Sequence, residues 1–491
     1  MNKNTVNEKS IENKFKDLNI ANKDLSIIIL AAGKGKRMKS DLPKVLHKIC
    51  FRPIIYYVLS NAYKLNPKNV FTVVGFGRDV LQQYIEENFK DCISVLQEEQ
   101  LGTAHAVLSV EKHKKVLGKE VLIIAGDMPL LSYETLLKTL KFKHENNLNA
   151  VLVTAIAENP YGYGRIIKNN EGCVLKIVEE TDASPKEKAI KEVNSSIYCF
   201  DTDILFNYLK RISAQNAQSE FYLTDIIELI SAEKKYSIKS YIIDNFYEVE
   251  GVNDRLQLSK LEKKLQRKIN EKLMLSGVTI RDPDTVYIDI EAEIGKDTII
   301  EPFCFISGKT KIGNNCVIGP FTQINESIIG NKTNINKSFI QGSTIGNFNN
   351  IGPTSYIRPG TVTGDNVKIG ACCEIKKSII SSNSKVPHLS YIGDAEVGSN
   401  VNVGAATVTC NYDGFFKNKT IIEDNVFIGS DTMLVAPVKI GKNAITAAGS
   451  VISEDVPQDS LAIERTKQVN IVQGAIKFRE KKKNQKDNLN K

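Results

Sequence analysis

The segment Leu30-Ala-Ala-Gly-Lys-Gly-Lys-Arg-Met38, followed by Leu42-Pro-Lys44, places two glycines behind an apolar run and the cations Lys36, Arg37 and Lys44 after them. Gly33 and Gly35 let the backbone turn tightly and bring bare N–H groups up to an anion, so the chemistry on offer is phosphate binding. A second candidate is Asp127, in Ala125-Gly-Asp-Met-Pro129, just after the apolar run Val121–Ala125. A third is His388, the only histidine of the second half and a side chain that moves protons near neutral pH. Gly-x-x-x-x-Gly-Lys-Ser/Thr is absent, and so is Gly-x-Gly-x-x-Gly at the Gly33 turn, which sets aside a P-loop and a dinucleotide fingerprint.

The elements that must hold these residues fall into two regimes. From Leu25 to about Asn253 the runs Ser26–Leu30, Val70–Val74, Val121–Ala125, Ala150–Ala155 and Ser196–Phe200 alternate with helical patterns. That predicts a mostly parallel α/β sheet with ligands at the strands' carboxyl ends. Asp254 to Ser276 carries Leu258, Leu261, Leu265, Ile269 and Leu273 three and four apart, an amphipathic helix stopped by Gly277. Beyond it Ile294, Ile300, Ile306, Ile312, Ile318 and Ile324 recur every six residues. The phase returns at Ile345, Ile351, Ile357, Ile369 and Ile375, then at Val397, Val403, Ile428, Leu434 and Ile440. This period suits a parallel β-helix in which each hexad gives one flat side and one inward aliphatic, and Ile306, Ile312 and Ile318 are expected to share one inward column.

With 491 residues and 42% hydrophobic side chains there is room for about two to four domains. Nine cysteines without a Cys-x-x-Cys pair suit neither a disulfide framework nor a zinc site, and fit a reducing compartment. No run approaches the roughly 20 apolar residues of a membrane span, and the polar first 24 residues lack a signal-peptide core, so a cytoplasmic location is expected. Residues 477–491 carry seven bases and two acids, five of the eight net positive charges. The nearly neutral body gives no sign of nucleic-acid binding, and the tail reads as a disordered, solvated end.

Leu-x-x-Gly-x-Gly-x-Arg-Met with its downstream Leu-Pro-Lys resembles the signature of sugar-1-phosphate nucleotidyltransferases, which join a nucleoside triphosphate to a sugar phosphate and release pyrophosphate. The resemblance implies that Leu30, Ala31, Ala32 and Gly33 bind UTP and that Arg37 and Lys44 are the catalytic cations. It implies Asp127 and Asn253, the latter in Glu248-Val-Glu-Gly-Val-Asn253, as ligands of Mg²⁺. Gln97, Gly102 and Thr103 would read the uracil, and Gly164 of Tyr163-Gly-Arg165, Glu179 and Asn194 would hold the sugar, as in uridylyltransferases of N-acetylglucosamine-1-phosphate.

The second half is similar to the left-handed β-helices of hexapeptide-repeat acyltransferases, typically trimers, and so implies a homotrimer. Lys385-Val-Pro-His-Leu-Ser-Tyr-Ile-Gly-Asp-Ala395 is close to the His-Leu-x-Tyr-x-Gly-Asp-Ala motif of glucosamine-1-phosphate acetyltransferases, whose histidine is the general base. By that likeness Arg358, Lys376, Tyr391, Asn402, Asn411, Tyr412 and Lys417 contact the substrate, and Glu374 orients the site. Ala405 gives the oxyanion N–H, while Ser430, Ala448 and Arg465 hold acetyl-coenzyme A. Ala371-Cys372, Lys36, Ser195-Ser196 and Glu464 depart from the motifs without removing a proposed acid, base or metal ligand.

The expected fold is α/β, a Rossmann-like nucleotidyltransferase domain (25–253) followed by a left-handed parallel β-helix of hexapeptide repeats (278–476). Residues 1–24 form an extension, 254–277 a linker helix and 477–491 a basic tail. The expected function is bifunctional: acetyl transfer from acetyl-coenzyme A to glucosamine-1-phosphate, then uridylyl transfer from UTP to N-acetylglucosamine-1-phosphate, with small molecules and further copies of the chain as its only partners. The chief alternative is a monofunctional nucleotidyltransferase whose β-helix only assembles subunits or binds an effector; another is a nucleotide-sugar sensor without turnover. His388 with Asn411-Tyr412 favours the first reading, and Lys44 with Asp127 argues against the sensor.

Overall fold

The computed structural model describes residues 24–216 and 218–489, so the extension at 1–23 lies outside the described residues. Two compact units divide between Lys268 and Ile269. The first is built on nine strands: β1 (Leu25–Leu30), β2 (Asn69–Val74), β3 (Cys92–Leu96), β4 (Glu120–Ala125), β5 (Ala150–Ile156), β6 (Arg165–Lys168), β7 (Val174–Val178), β8 (Glu192–Asp201) and β9 (Ile238–Ile243). They lie in the order β9-β5-β8-β4-β1-β2-β3, with β6 paired to β8 and β7 to β6. All five expected strands are present. β1 pairs in parallel with β2 and β4, whereas β8 runs antiparallel to β4 and β5. Its reach back to Glu192 escapes the pattern because the register shifts between Asn194 and Tyr198, where Ser196 takes a positive φ of 59°.

Side chains of a strand alternate between faces, and both faces of this sheet are buried. Ile27 and Ile29 enter one core with Val58 and Leu59 of the Ile54–Lys64 helix; Ile28 enters the other with Phe71, Leu205 and Phe206. Continuous apolar runs are what such a strand requires, and they leave room for polar side chains only in the loops at its ends.

The helix expected at 254–277 spans Arg255–Leu275, buries Leu261, Leu265 and Ile269, and is followed by Gly277 at φ 100°. The second unit is a three-sided parallel β-helix, with eleven, ten and nine strands on its three faces. Ile306, Ile312 and Ile318 are all buried, yet they do not form one column. Each coil uses three hexads, so Ile306 stacks on Ile288 and Ile324, Ile312 on Ile294, and Ile318 on Ile300, one column to a face. Shortened coils pair Ile312 with Ile329 and Ile324 with Ile340, which explains why the six-residue phase is lost after Ile324. Ile294, in the first strand of its sheet, is only half-buried. Corner asparagines form a ladder: the N–H of Asn314 donates to Asn331 Oδ1 (2.8 Å), that of Asn331 to Asn347 Oδ1 (2.8 Å), and that of Asn347 to Asp365 Oδ1 (2.7 Å).

The tail differs from expectation. Gly474–Leu489 is a helix with no buried residue, because its Lys, Arg, Glu and Gln side chains are good helix formers and no glycine or proline interrupts it. No described helix is long and apolar enough to cross a membrane.

Burial decides what the β-helix tolerates. Ile312→Asp puts an unpaired charge at a position 4% exposed, which should cost several kcal/mol and abolish the β-helix's cooperative unfolding transition. Lys311→Gln, which removes an exposed pair with Glu293, should cost less than about 1 kcal/mol. Thermal unfolding followed by circular dichroism distinguishes the two.

Candidate active sites

In the first unit the loops after β1 and β4 meet at the strands' carboxyl ends. Lys44 opens a 3₁₀ turn behind Pro43; its ammonium pairs with Asp127, two residues beyond β4, and lies 3.4 Å from Asn253 Oδ1. Asn253 is delivered by a loop anchored through Glu248, whose Oε2 accepts hydrogen bonds from Ser132 Oγ (2.7 Å) and Thr135 Oγ1 (2.6 Å). Gly251 allows the approach, since a Cβ there would come within 3.0 Å of the Asp127 carboxylate. Likewise a Cβ on Gly35 would come within 2.8 Å of Lys44 Cβ, whereas Gly33 faces open space. Two side-chain oxygens, Asp127 Oδ2 and Asn253 Oδ1, thus converge on one cationic atom, a donor set that suits a hard divalent cation. Among the described residues no group of three His, Cys, Asp or Glu side chains offers a richer site.

Two adjoining cavities of about 480 and 420 Å³ open beside this pair, and Arg37, Glu179 and Asn194 line both. Leu30 and Thr103 line the first; Asp127, Gly164 and Asn253 line the second. Gly102 is required where the chain crosses Phe221, whose carbonyl oxygen a Cβ would meet at 2.5 Å, and Thr103 Oγ1 accepts the N–H of Leu223 (2.9 Å). Gln97 is placed apart from these cavities. It is buried, its Nε2 donates to the Gly102 carbonyl (3.1 Å), and it borders a separate hollow with Gly75 and Gly77. Ala32 abuts Gly75 next to that hollow, and Ala31 N–H bonds to Val73 O (3.0 Å). A larger cavity, of about 970 Å³, lies by the amino ends of β1 and β4, and its Lys114 and Lys119 are paired with Asp203 and Asp24. None of the candidate site residues lines it.

Asn194 Nδ2 donates to Tyr198 Oη (2.7 Å), its own N–H donates to Gly164 O (2.8 Å), and its Oδ1 accepts the Ser196 N–H (3.2 Å). The left-handed conformation of Ser196 is costly for a residue with a Cβ. Burial pushes the Glu179 carboxyl up, against a hydrogen bond from Thr224 Oγ1 (3.0 Å). Behind it burial, then the charges of Glu179, Glu228 and Asp182, raise Asp225 to about 6. Tyr198, Thr224 and Asp225 were not selected from sequence, having no motif or spacing to mark them, and Glu248 was seen only as the first residue of the motif that carries Asn253.

In the second unit the site residues fall on successive coils. Leu389 N–H donates to Ala371 O (2.9 Å), Ala406 N–H to His388 O (3.3 Å), Asp431 N–H to Ala405 O (2.7 Å) and Gly449 N–H to Ser430 O (2.8 Å). This repeated bond puts Ala371, His388, Ala405, Ser430 and Ala448 in one column, and Arg465 Nη1 closes on Ala448 O at 2.6 Å. With neighbouring strands about 4.8 Å apart, the column runs about 14 Å from His388 to Ala448. The His388 side chain is exposed, and the Ala405 N–H meets no acceptor among the described residues.

Around the corner, Lys376 Nζ lies 2.7 Å from Asp394 Oδ2, and Asn411 Nδ2 bonds to the same carboxylate and reaches Tyr391 Oη at 3.4 Å. Burial opposes the Asp394 charge, but the hydrogen bonds from Lys376 and Asn411 outweigh it and hold the carboxyl below its usual range. One coil earlier Arg358 pairs with Glu374 at 2.8 Å. Tyr412 and Lys417 face each other across a protruding loop, the ammonium 3.8 Å from the ring centroid, where one coil lengthens so that Val397 pairs with Ile422. Asn402 pairs with Lys385 and Phe427 and is half-buried.

Fold and sites define a nucleotidyltransferase domain joined to a hexapeptide-repeat acyltransferase. The family model described as nucleotidyl transferase matches residues 26–245, that of the GMPPB C-terminal domain residues 283–365 and 343–435, and that of the bacterial transferase hexapeptide (six repeats) residues 419–454. The chain is 49% identical over 443 residues to the "Bifunctional protein GlmU" of Carboxydothermus hydrogenoformans, covering 90% of this chain and 98% of that protein. Proteins of the same name from Thermosipho africanus and Listeria monocytogenes are 49% and 44% identical, over 91% and 90% of this chain and 96% of each relative. The chain belongs to the bifunctional GlmU family. Its β-helix is left-handed, and it is a bifunctional enzyme of UDP-N-acetylglucosamine synthesis, acetylating glucosamine-1-phosphate and uridylylating N-acetylglucosamine-1-phosphate.

Asp225 supplies a test of the electrostatics. Its folded-state value, about 6, lies above the ordinary 3.8, so the native state holds the proton more tightly than the unfolded chain. That contribution is full below about pH 4 and lost as pH rises through about 6. Asp225→Asn should therefore raise stability at pH 8 by about 1–2 kcal/mol, discounted for partial exposure, with the gain vanishing at pH 4. Thermal midpoints across that range check it.

Proposed function

We propose that the uridylyl transfer is carried by Arg37, Lys44, Asp127 and Asn253, and the acetyl transfer by His388 and Ala405, in two sites that share no residue. In the first site Leu30, Ala31, Ala32 and Gly33 border the nucleotide, Gln97, Gly102 and Thr103 the uracil, and Gly164, Glu179 and Asn194 the sugar. A sugar-phosphate oxygen attacks the α-phosphorus of UTP and pyrophosphate leaves, so the site must neutralise charge more than make covalent bonds. Arg37 lines both cavities and can meet the phosphates as they arrive. Lys44 neutralises Asp127 in the free enzyme and turns to the triphosphate when it binds. Asp127 and Asn253 would then hold Mg²⁺, which supplies charge neutralisation between the phosphates.

In the second site Arg358, Lys376, Tyr391, Asn402, Asn411, Tyr412 and Lys417 hold glucosamine-1-phosphate, with Glu374 orienting Arg358. The amine attacks the thioester carbonyl of acetyl-coenzyme A, His388 takes its proton, the Ala405 N–H donates to the oxyanion, and the thiolate leaves. Ser430, Ala448 and Arg465 border the coenzyme. The observation that carries this reading is the single column from His388 to Ala448, which lays a base, a free N–H donor and the coenzyme positions along one line. An effector-binding or purely assembling β-helix would need no base in that line.

The acetyl-transfer face of the single chain is open: Tyr412 is 56% exposed, and Phe303 and Phe321 stack at 5.0 Å while both remain exposed. Such a surface fits burial between copies, and a homotrimer working in the cytoplasm is the assembly proposed.

Asp127→Ala should cut pyrophosphate release from UTP by about 10²-fold or more while leaving thiol release from acetyl-coenzyme A intact. His388→Ala should do the reverse, lowering acetyl transfer by roughly 10²–10⁴. Equal loss of both activities in either folded variant contradicts the assignment.

A further inference from the structure

Arg165 is the largest fully buried side chain among the described residues, only 1% exposed, and an arginine enters such a place only with its charge paired. Its Nη2 donates to Glu180 Oε2 at 2.6 Å and its Nη1 to the Tyr163 carbonyl. The same Glu180 oxygen accepts the Gly162 N–H at 3.2 Å. One ion pair therefore grips the Tyr161–Gly164 loop from both sides and ties the start of β6 to the end of β7. Tyr161 and Gly162 line both cavities beside Asp127, and so does Glu179, the residue before Glu180.

We propose that Arg165 and Glu180 are positioning residues for the sugar-phosphate half of the uridylyltransferase site, their ion pair setting the loop that faces the acceptor. This rests on the reading of Gly164, Glu179 and Asn194 as contacts of the sugar. Neighbouring carboxylates divide the work: Glu179 borders both cavities, whereas Glu180 borders only the first and engages Arg165 and the Gly162 N–H through its Oε2. Gly164 is held on its other side by the Asn194 N–H, so the loop and Asn194 keep their spacing only while the clamp is closed. An error of about 1 Å in such a contact can cost up to about 10²-fold in rate. Lys44 bonds to Asp127 and Asn253 and the Leu30 carbonyl to the Gly126 N–H, not to the pair, so UTP binding should not depend on it.

Glu180→Ala, whose side chain is partly exposed and so removable without a buried hole, is the first variant, measured in the full-length enzyme with N-acetylglucosamine-1-phosphate and UTP varied separately. The expected result is a KM for the sugar phosphate raised about 10-fold or more with the KM for UTP and the acetyl transfer unchanged, together with a lowered melting temperature, because the buried Arg165 loses its partner. Glu180→Gln, which keeps an acceptor oxygen, should recover most of the loss; Arg165→Lys, which lacks the fork needed to reach both Tyr163 O and Glu180, should behave like Glu180→Ala. Equal rises in both KM values, or a lowered melting temperature with no change in either, overturns the proposal. Asn194→Ala separates the two readings. If it leaves the sugar-phosphate KM unchanged, the assignment of the sugar site is at fault; if it raises that KM while Glu180→Ala does not, the clamp alone is wrong.

Discussion

A charged side chain can stand at the rim of an apolar scaffold or inside it with a partner, and nowhere else without a cost of several kcal/mol. Both units obey this constraint, and it places their chemistry. In the first, β1 and β4 are buried on both faces, so Lys44 and Asp127 stand beyond the strand ends and neutralise each other. In the second, most inward positions are taken by aliphatic or small side chains, and His388, Lys376 and Arg358 occupy outward or corner positions.

Where charge does enter the interior it is paired and serves geometry. Arg165 spans two loop carbonyl and carboxylate partners, Lys143 is 3% exposed between Glu120 and Asp201, and Asp394 is shared by Lys376 and Asn411. Carboxyls without a cation, Glu179 and Asp225, respond to burial instead by holding their protons more tightly. The cavity wall around Glu179 thus mixes fixed and titrating groups, and the fixed ones set its shape.

The scaffold was legible in sequence because it is written in apolar periods: runs for the first unit, hexads for the second. What stayed hidden is what coil length and register decide. Ile306, Ile312 and Ile318 share a period but not a column, because stacking follows the eighteen-residue coil. His388, Ala405, Ser430 and Ala448 have no common spacing, because a lengthened coil separates Ala405 from Ser430, yet they form one line. Asp127 and Lys44 could be named from their motifs, whereas Tyr198 and Thr224 act through packing that no local pattern encodes. The tail was misjudged because charge suggested disorder while the same lysines and glutamates favour a helix.

The account holds that the two reactions occupy separate sites joined by a released intermediate. The most direct test mixes two variants, each impaired in one reaction, Asp127→Ala and His388→Ala, with glucosamine-1-phosphate, acetyl-coenzyme A and UTP. Either alone should form UDP-N-acetylglucosamine about 10²-fold or more slower than the mixture, which should form it after a lag in which N-acetylglucosamine-1-phosphate accumulates. A mixture that stays as slow as either variant, although each retains its single remaining activity, would contradict the account.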